Sequence, residues 1–504
     1  MLSGYISCKK CGGNITFEER STCGLGFKLV VKCEKCNPVF IDSCPLIDNA
    51  YEVNKRFIFA MKLLGVGLCG AEKFCAFMDL SRPIFQSFYD RVVQNIRTAA
   101  KAVCDLSLSR AANAEIIATQ QESEDIQGIT VSGDSSWKKR GFQSLYGLSS
   151  LIGLHTGKIL DVIMKNSFCK VCADMAAFRG TAKYDNWFTT HSKTCKINHK
   201  GSSGKIEVDG IKEMFMRSES LHQVKYINYI GDSKTYKSII DAKPYGDTPI
   251  IKKKYINQVQ KRMGSHLRSL KKCKKDLGGR GRLTDKIINE LTNYYGLAIR
   301  RNINNVDNMY NEIWMTLYHK SSTEENPLHF LCPEGSDSWC SFQRALATGN
   351  LDTYIDKTPL PEDVVEAIMR IYEDLSEQEL LERCAGGSTQ NHMKCYNSLV
   401  WQIAPKTNSS VALVVETAIY LSTIIFNDGM QSVLKVLELL GVQIGPTLQQ
   451  YCNKRDNSRV TVVESRAASL SRRSNSAHKK MTPSLDGNGD GGEDASYEPG
   501  MDKF

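Results

Sequence analysis

The chain has 504 residues, 41% hydrophobic and 24% charged, with a formal net charge of +10. That length predicts two to four globular modules, and the modest positive charge suits a polyanionic partner. The most apolar run, Phe57–Cys69, is broken by Lys62 and too short for a bilayer, so no membrane partner is expected. With no secretion signal, the eighteen cysteines point to metal rather than a disulfide framework.

Residues 1–45 carry Cys8-x-x-Cys11 and Cys33-x-x-Cys36 around a β-forming run, Phe27–Val31. Two such knuckles can set four thiolates tetrahedrally around Zn²⁺, and the metal supplies stability that a small core lacks. Cys23 and Cys44 remain as competing ligands. Residues 46–125 read as helices: Tyr51–Leu64, Gly70–Asp79, and a long one from Ile84 to about Ala118. Ser81-Arg-Pro83 opens the last, with proline in the first turn. This succession fits a helix-turn-helix DNA reader or a plain helical bundle.

After an acidic linker, Gln120–Asp125, the stretch Val131–Phe142 ends an apolar run at Asp134. Trp137 and the cations Lys138, Lys139 and Arg140 follow, then two strands, Leu145–Leu154 and Lys158–Met164. A carboxylate at a strand end beside cations suits a metal-assisted phosphate site, although a hairpin turn also favours Asp. Cys169, Cys172, Cys195 and His199 form a second zinc set, with His191 the alternative fourth ligand. His191, Cys195 and His199 are four apart and would line one helix face.

A helix from Ile206 to about Ser218 leads to a strand, Lys225–Ile230, that ends in Gly231-Asp232. The order strand-Asp, two strands, helix, strand-Asp is the layout of a ribonuclease-H-like core. With the first and fourth strands adjacent, Asp134 and Asp232 would meet at one edge and share divalent cations for in-line phosphoryl displacement.

The most basic segment, 252–286, begins with Lys252, Lys253 and Lys254. Tyr255, Val259, Met263 and Leu267 then recur every four residues, leaving Lys261, Arg262 and Arg268 on a cationic helical face suited to nucleic acid. Further helices cover Leu283–Gly296, Val306–Tyr318, Pro359–Leu375 and Glu377–Cys384. His319, His329, Cys332 and Cys340, on the loop after the second of these, form a third zinc set. The last helices are Asn391–Ile403, Val411–Phe426 and Gln431–Leu440. Residues 453–504 are polar and expected to be disordered.

Several stretches resemble motifs of Mutator-like transposases of eukaryotic DNA transposons. They are Ser132–Gly141, His199–Gly204 with Ile206-Glu-Val, Tyr229–Lys234, Pro244–Gly246, Gln260–Gly264, Gly279–Thr284, Tyr294–Arg300, Ser338–Cys340, Gly386–Asn391 and Leu399–Trp401. The resemblance runs from about residue 50 to 452. It implies a nuclear DNA recombinase whose two Asp and one Glu bind Mg²⁺ or Mn²⁺. Hydrolysis frees a transposon end, whose 3′ hydroxyl attacks target DNA. Asp134 and Asp232 match the two Asp. DNA ends, target DNA and a homo-oligomer pairing two ends are the implied partners.

Three positions depart from the family pattern. The second Asp motif is two residues short, so Asp232 could match either family Asp of that motif. A family C-x-x-H pair is replaced by Tyr255 and Gln258. The family Glu falls at Lys394, whose ammonium cannot ligate Mg²⁺, and Glu382 lies more than three turns away on a continuous helix. The expected protein is an α/β ribonuclease-H-like core (126–250 and 386–452) interrupted by a basic α-helical insertion (251–385). A zinc ribbon (1–45) and a helical, possibly helix-turn-helix, region (46–125) precede it, and a tail (453–504) follows. Lys394 favours a transposase-derived DNA-binding protein that no longer cuts. An active transposase using another acid and a zinc-ribbon regulatory protein are the alternatives.

Overall fold

Short antiparallel strands build the first module of the computed structural model. It describes residues 6–81, 84–122, 127–139, 144–303, 305–338, 340–355, 359–385, 391–407 and 411–461. Strands β1 (Ile15–Cys23) and β2 (Gly26–Cys33) pair antiparallel with Ile15 opposite Cys33, and β3 (Val39–Asp42) pairs with β2. A short ladder of β4 (Leu46–Ile47) and β5 (Ala50–Tyr51) leads into α1 (Glu52–Leu63). The Asn54 side chain holds the β1–β2 turn on α1. It accepts from the Leu25 N–H and donates to the Cys23 carbonyl, both at 2.8 Å.

Helices α2 (Leu68–Phe77) and α3 (Gln86–Glu122) precede strands β6 (Ile129–Trp137), β7 (Tyr146–Gly153) and β8 (Ile159–Asn166). Then come α4 (Lys170–Asp174), α5 (Ala182–His191), α6 (Ser203–His222), β9 (Tyr226–Ile230), α7 (Ser233–Ala242) and β10 (Ile251–Lys253). The rest is helical: α8 (Ile256–Cys273), α9 (Asp285–Arg301), α10 (Val306–Ser321), α11 (Ser341–Thr348), α12 (Glu362–Leu375), α13 (Gln378–Glu382), α14 (Asn391–Ile403), α15 (Ala412–Asp428), α16 (Ser432–Leu439) and a last helix over 446–461.

Contacts divide this mixed α/β chain into two units. The first comprises Met1–Asp125, Asp134–Gln223 and Cys395–Ser458. Its centre is α3, which buries Val92, Ile96, Ala100, Val103 and Cys104 and packs along α15. The opposite face of α3 is exposed, at Gln94, Lys101, Asp105 and Arg110 among others, so the helix is amphipathic. Arg82 and Pro83, at the expected helix start, lie outside the described residues.

Strands β7 and β8 pair antiparallel, and α6 covers them. A Cβ at Gly210 of α6 would stand 2.6 Å from Ser149 Oγ, so only glycine allows this approach. Buried Glu115 of α3 accepts from His155 N (2.9 Å), Thr156 N (2.8 Å) and Thr156 Oγ1 (2.6 Å), fixing the β7–β8 turn. Asn427 of α15 covers the β8 backbone, accepting from Ile159 N at 2.8 Å and donating to Ile159 O at 2.9 Å. These bonds satisfy strand groups that would otherwise template further pairing.

The second unit comprises Ile126–Gly133, Val224–Lys394 and Arg459–Phe504. Here β9 pairs in parallel with both the first part of β6 and β10, with Ser132 opposite Ile230 and Lys253 opposite Ile230. Its helical core gathers Val259, Met263 and Leu267 of α8 with Leu291, Ile313, Ile368 and Leu381. The four-residue stripe read from the sequence is thus the buried face of α8. The final helix reaches residue 461, so 453–461 is ordered rather than tail. Residues 462–504 lie outside the described residues. Among the described residues no helix is long and apolar enough to cross a membrane.

Candidate functional site

Three groups of four soft or imidazole donors have their ligand atoms within 4.8 Å of one another: Cys8, Cys11, Cys33, Cys36; Cys169, Cys172, His191, Cys195; and His319, His329, Cys332, Cys340. In the first group Cys11 and Cys33 Sγ are 3.3 Å apart, and Cys8 and Cys36 Sγ 3.9 Å. The edge of a Zn–thiolate tetrahedron is about 3.8 Å for Zn–S bonds of about 2.3 Å. Gly12, at φ 69°, makes the turn that carries Cys8 and Cys11. N–H groups of Lys10 and Cys11 draw Cys8 down to about 6, whereas the Cys11 and Cys8 sulfurs push Cys36 up to about 12. Packed thiols resist joint ionisation, and a bound cation removes that resistance. Cys23 and Cys44 are outside this group.

The second group contains His191, not His199. His191 Nε2 lies 3.2 Å from Cys172 Sγ and 3.5 Å from Cys169 Sγ, and Cys172 and Cys195 Sγ are 3.5 Å apart. The expected helix does not continue: α5 ends at His191, and residues 195–200 are irregular, so His199 leaves the ligand face. His199 is buried elsewhere, 3.3 Å from Asp209 Oδ2 through Nδ1 and 3.2 Å from Ser202 O through Nε2. It therefore shapes the entry to α6. Burial opposes ionisation of Cys169, but the Cys172 and Lys196 N–H groups outweigh it and bring the thiol down to about 6. The root of this insertion is clamped by Asn166 and Asn198. Asn166 N donates to Asn198 Oδ1 at 2.6 Å, and Asn198 Nδ2 donates to Met164 O at 2.9 Å.

The third group is the most buried, with Cys340 fully enclosed. His329 Nδ1 is 3.5 Å from Cys340 Sγ and 3.2 Å from His319 Nδ1. Its other nitrogen, Nε2, lies 2.9 Å from Ser322 Oγ, the kind of outer partner that fixes a ligand tautomer. The Cys332 sulfur stabilises the neighbouring thiolate, holding Cys340 at about 2 and raising Cys332. All three donor sets suit Zn²⁺.

Asp134 lies half-buried in the second part of β6, where Asn397 Nδ2 of α14 donates to its Oδ2 at 3.1 Å. Trp401, one turn on, donates Nε1 to Ser136 Oγ at 2.7 Å. One face of α14 (397, 401) thus meets one face of β6 (134, 136). Asn397 Oδ1 is buried without a hydrogen-bond partner among the described residues. Lys394, one turn before Asn397 on the same helical stripe, is exposed.

Asp232 caps α7, its Oδ2 accepting from Lys234 N at 2.7 Å and Thr235 N at 3.3 Å. Gly231 is required before it, since a Cβ would stand 2.1 Å from the Tyr229 hydroxyl. Cations surround this strand end. Lys252 Nζ bonds Ser233 Oγ, and its pKa is lowered by burial while Asp232 opposes the shift. Lys253 Nζ donates to Glu382 O at 3.3 Å, and Lys254 N to Arg383 O at 2.7 Å. Glu382 ends α13, a separate helix held at β10, so the sequence-based argument of three turns on a continuous helix does not apply to it. On α8, Lys261 and Arg262 are exposed, and Arg268 bonds Asn289 at 2.7 Å. Tyr255, at the family Cys position, is buried with its hydroxyl bonded to Ser132 Oγ, and Gln258 is exposed.

Of the cations after Asp134, Lys139 is exposed and Arg140 lies outside the described residues. Lys138 is buried, contrary to its expected place on the DNA-facing surface. It follows the end of β6 at Trp137, and burial, then Lys139, lowers its amine to about 8.

A family model described as Mutator-like transposase matches residues 2–340. The chain belongs to the Mutator-like transposase family. No curated protein and no solved structure matches it. The match to the transposase model begins before the first Cys knuckle and ends at Cys340, so it takes in all three donor groups, Asp134 and Asp232. In this Mutator-like chain the partner residues Asn397, Trp401, Asn166 and Asn198 were not assigned roles from sequence. The sequence signals for the first two are their four-residue spacing on α14 and the place of Trp401 in the family-like stretch Leu399–Trp401.

Proposed function

We propose that this chain is a transposase-derived, nuclear DNA-binding protein whose ancestral activity, metal-dependent DNA strand cleavage and transfer, is lost. The observation that carries this reading is Lys394. It occupies the α14 stripe whose next members, Asn397 and Trp401, bond Asp134 and Ser136. The family resemblance puts at this position a glutamate, an oxygen donor of the kind that holds Mg²⁺ or Mn²⁺. An ammonium ion instead repels such cations. Asp134 and Asp232 are the remaining acids of the ancestral set. The parallel β6–β9 pairing, with β7 and β8 antiparallel, supports a ribonuclease-H-like ancestry.

DNA binding is assigned to the cations of β10 and α8: Lys252, Lys253, Lys254, Lys261, Arg262 and Arg268. Asp285 pairs with Lys271 at 3.1 Å, whereas Arg268 bonds the neutral Asn289 at 2.7 Å. Zinc in the three donor groups supports the modules structurally. Duplex binding by the zinc-loaded full chain should weaken steeply with salt. Replacing both Lys261 and Arg262 by Gln should reduce the log–log slope by about two. An unchanged slope removes α8 from the interface.

A second reading has one observation in its favour. Glu382 is held at the end of β10, next to the strand that leads to Asp232. If the chain cuts, Glu382→Gln should abolish cutting.

A further inference from the structure

The second metal-binding insertion carries a surface that the proposed cleavage chemistry does not use. Helix α5 buries none of its ten residues. Its aromatic stripe, Tyr184, Trp187, Phe188 and His191, follows the i, i+3, i+4, i+7 spacing that would normally face a core. The rings stack on one another instead: Tyr184 on Phe188 at 5.7 Å and Trp187 on His191 at 4.6 Å between centroids. Phe188 and the nearby Phe178 are each 40% exposed, and Lys183 Nζ lies 4.4 Å over the Phe178 ring.

Charge around the stripe has one dominant sign. Lys170, Arg179, Lys183, Lys193, Lys196 and Lys200 are all exposed, against Asp174 and Asp185. The platform is also held in place. His191 anchors one end in the donor group, and Asn166 and Asn198 clamp the root.

We propose that the exposed face of α5 binds single-stranded DNA by stacking unpaired bases on Tyr184 and Phe188 while the flanking cations hold the phosphates. Aromatic side chains set among cations bind single strands in this way, because each base offers a π-face that a duplex conceals. The inference rests on the DNA-binding reading above and adds a strand state and a second surface to it.

The test uses the zinc-loaded full chain and fluorescence anisotropy. The probes are an oligothymidylate of about 15 nucleotides, an abasic strand of equal length and a duplex. Tyr184→Ala/Phe188→Ala should weaken oligothymidylate binding about tenfold or more, with zinc content and duplex affinity unchanged, and Phe188→Trp should retain binding. Trp187 is left intact because it stacks on His191. If the double variant sheds zinc, Lys183→Glu/Lys193→Glu keeps every ring and should weaken the same binding. Undiminished oligothymidylate binding by the variant that retains zinc overturns the proposal. So does equal affinity for the abasic strand, or a polyglutamate that displaces the oligonucleotide and itself depends on Tyr184 and Phe188. Failure to bind any of the three DNAs would instead sink the DNA-binding reading itself.

Discussion

Asn397 on α14 donates its Nδ2 to Asp134 Oδ2 on β6 at 3.1 Å. This bond fixes which face of α14 looks onto the β6 carboxylate, and it is reinforced one turn later by Trp401 and Ser136. Hydrogen bonds to charged groups are worth about 1.5–3 kcal/mol. Asn397→Ala should therefore lower unfolding stability by about that amount in denaturant titrations of the zinc-loaded protein. Trp401→Phe should cost about 1 kcal/mol by losing the Ser136 bond. No loss from Asn397→Ala would mean that the helix face is not held this way.

The second donor group distinguishes two histidines eight residues apart. His191→Ala should remove one zinc ion, from three per chain to two by elemental analysis. His199→Ala should keep all three and lower stability through its lost contacts with Asp209 and Ser202. The reverse result would restore His199 as the ligand.

Local spacing made much of this site readable. Cys-x-x-Cys pairs and the α8 stripe depend on short-range geometry, and each appears where its pattern indicates, whereas Asp134, expected at a strand end, lies inside β6, which continues to Trp137. What sequence missed depends on where elements stop and what covers them. His199 was placed by continuing α5 past its actual end at His191. Lys138 reads as one of three surface cations, yet just past the end of β6 it is buried while Lys139 is exposed. The periodicity of α3 could not say whether its apolar face met DNA-binding partners or a bundle, because α15, which buries it, lies some 300 residues away in sequence. Asn397 had no visible role until β6 supplied its partner.

Lys138 gives a pH test. Its amine lies at about 8, below the ordinary lysine value of 10.5, because burial disfavours the charged form. The resulting destabilisation is full below pH 8, shrinks between pH 8 and 10.5, and is absent above. Lys138→Met should therefore stabilise the fold at pH 7 by about 1–3 kcal/mol, an advantage that fades towards pH 10.5. Denaturant midpoints across that range read it out. A constant difference at all pH values would show that packing, not charge, is responsible.

The central claim is that Lys394 has silenced an ancestral nuclease. The most direct measurement incubates supercoiled DNA and Mn²⁺ with the unchanged protein and with Lys394→Glu, scoring nicked and linear products. The account predicts that both proteins bind the DNA, that the unchanged protein yields no product, and that the Glu variant cuts. Cleavage by the unchanged protein, lost in Asp134→Asn, would contradict it.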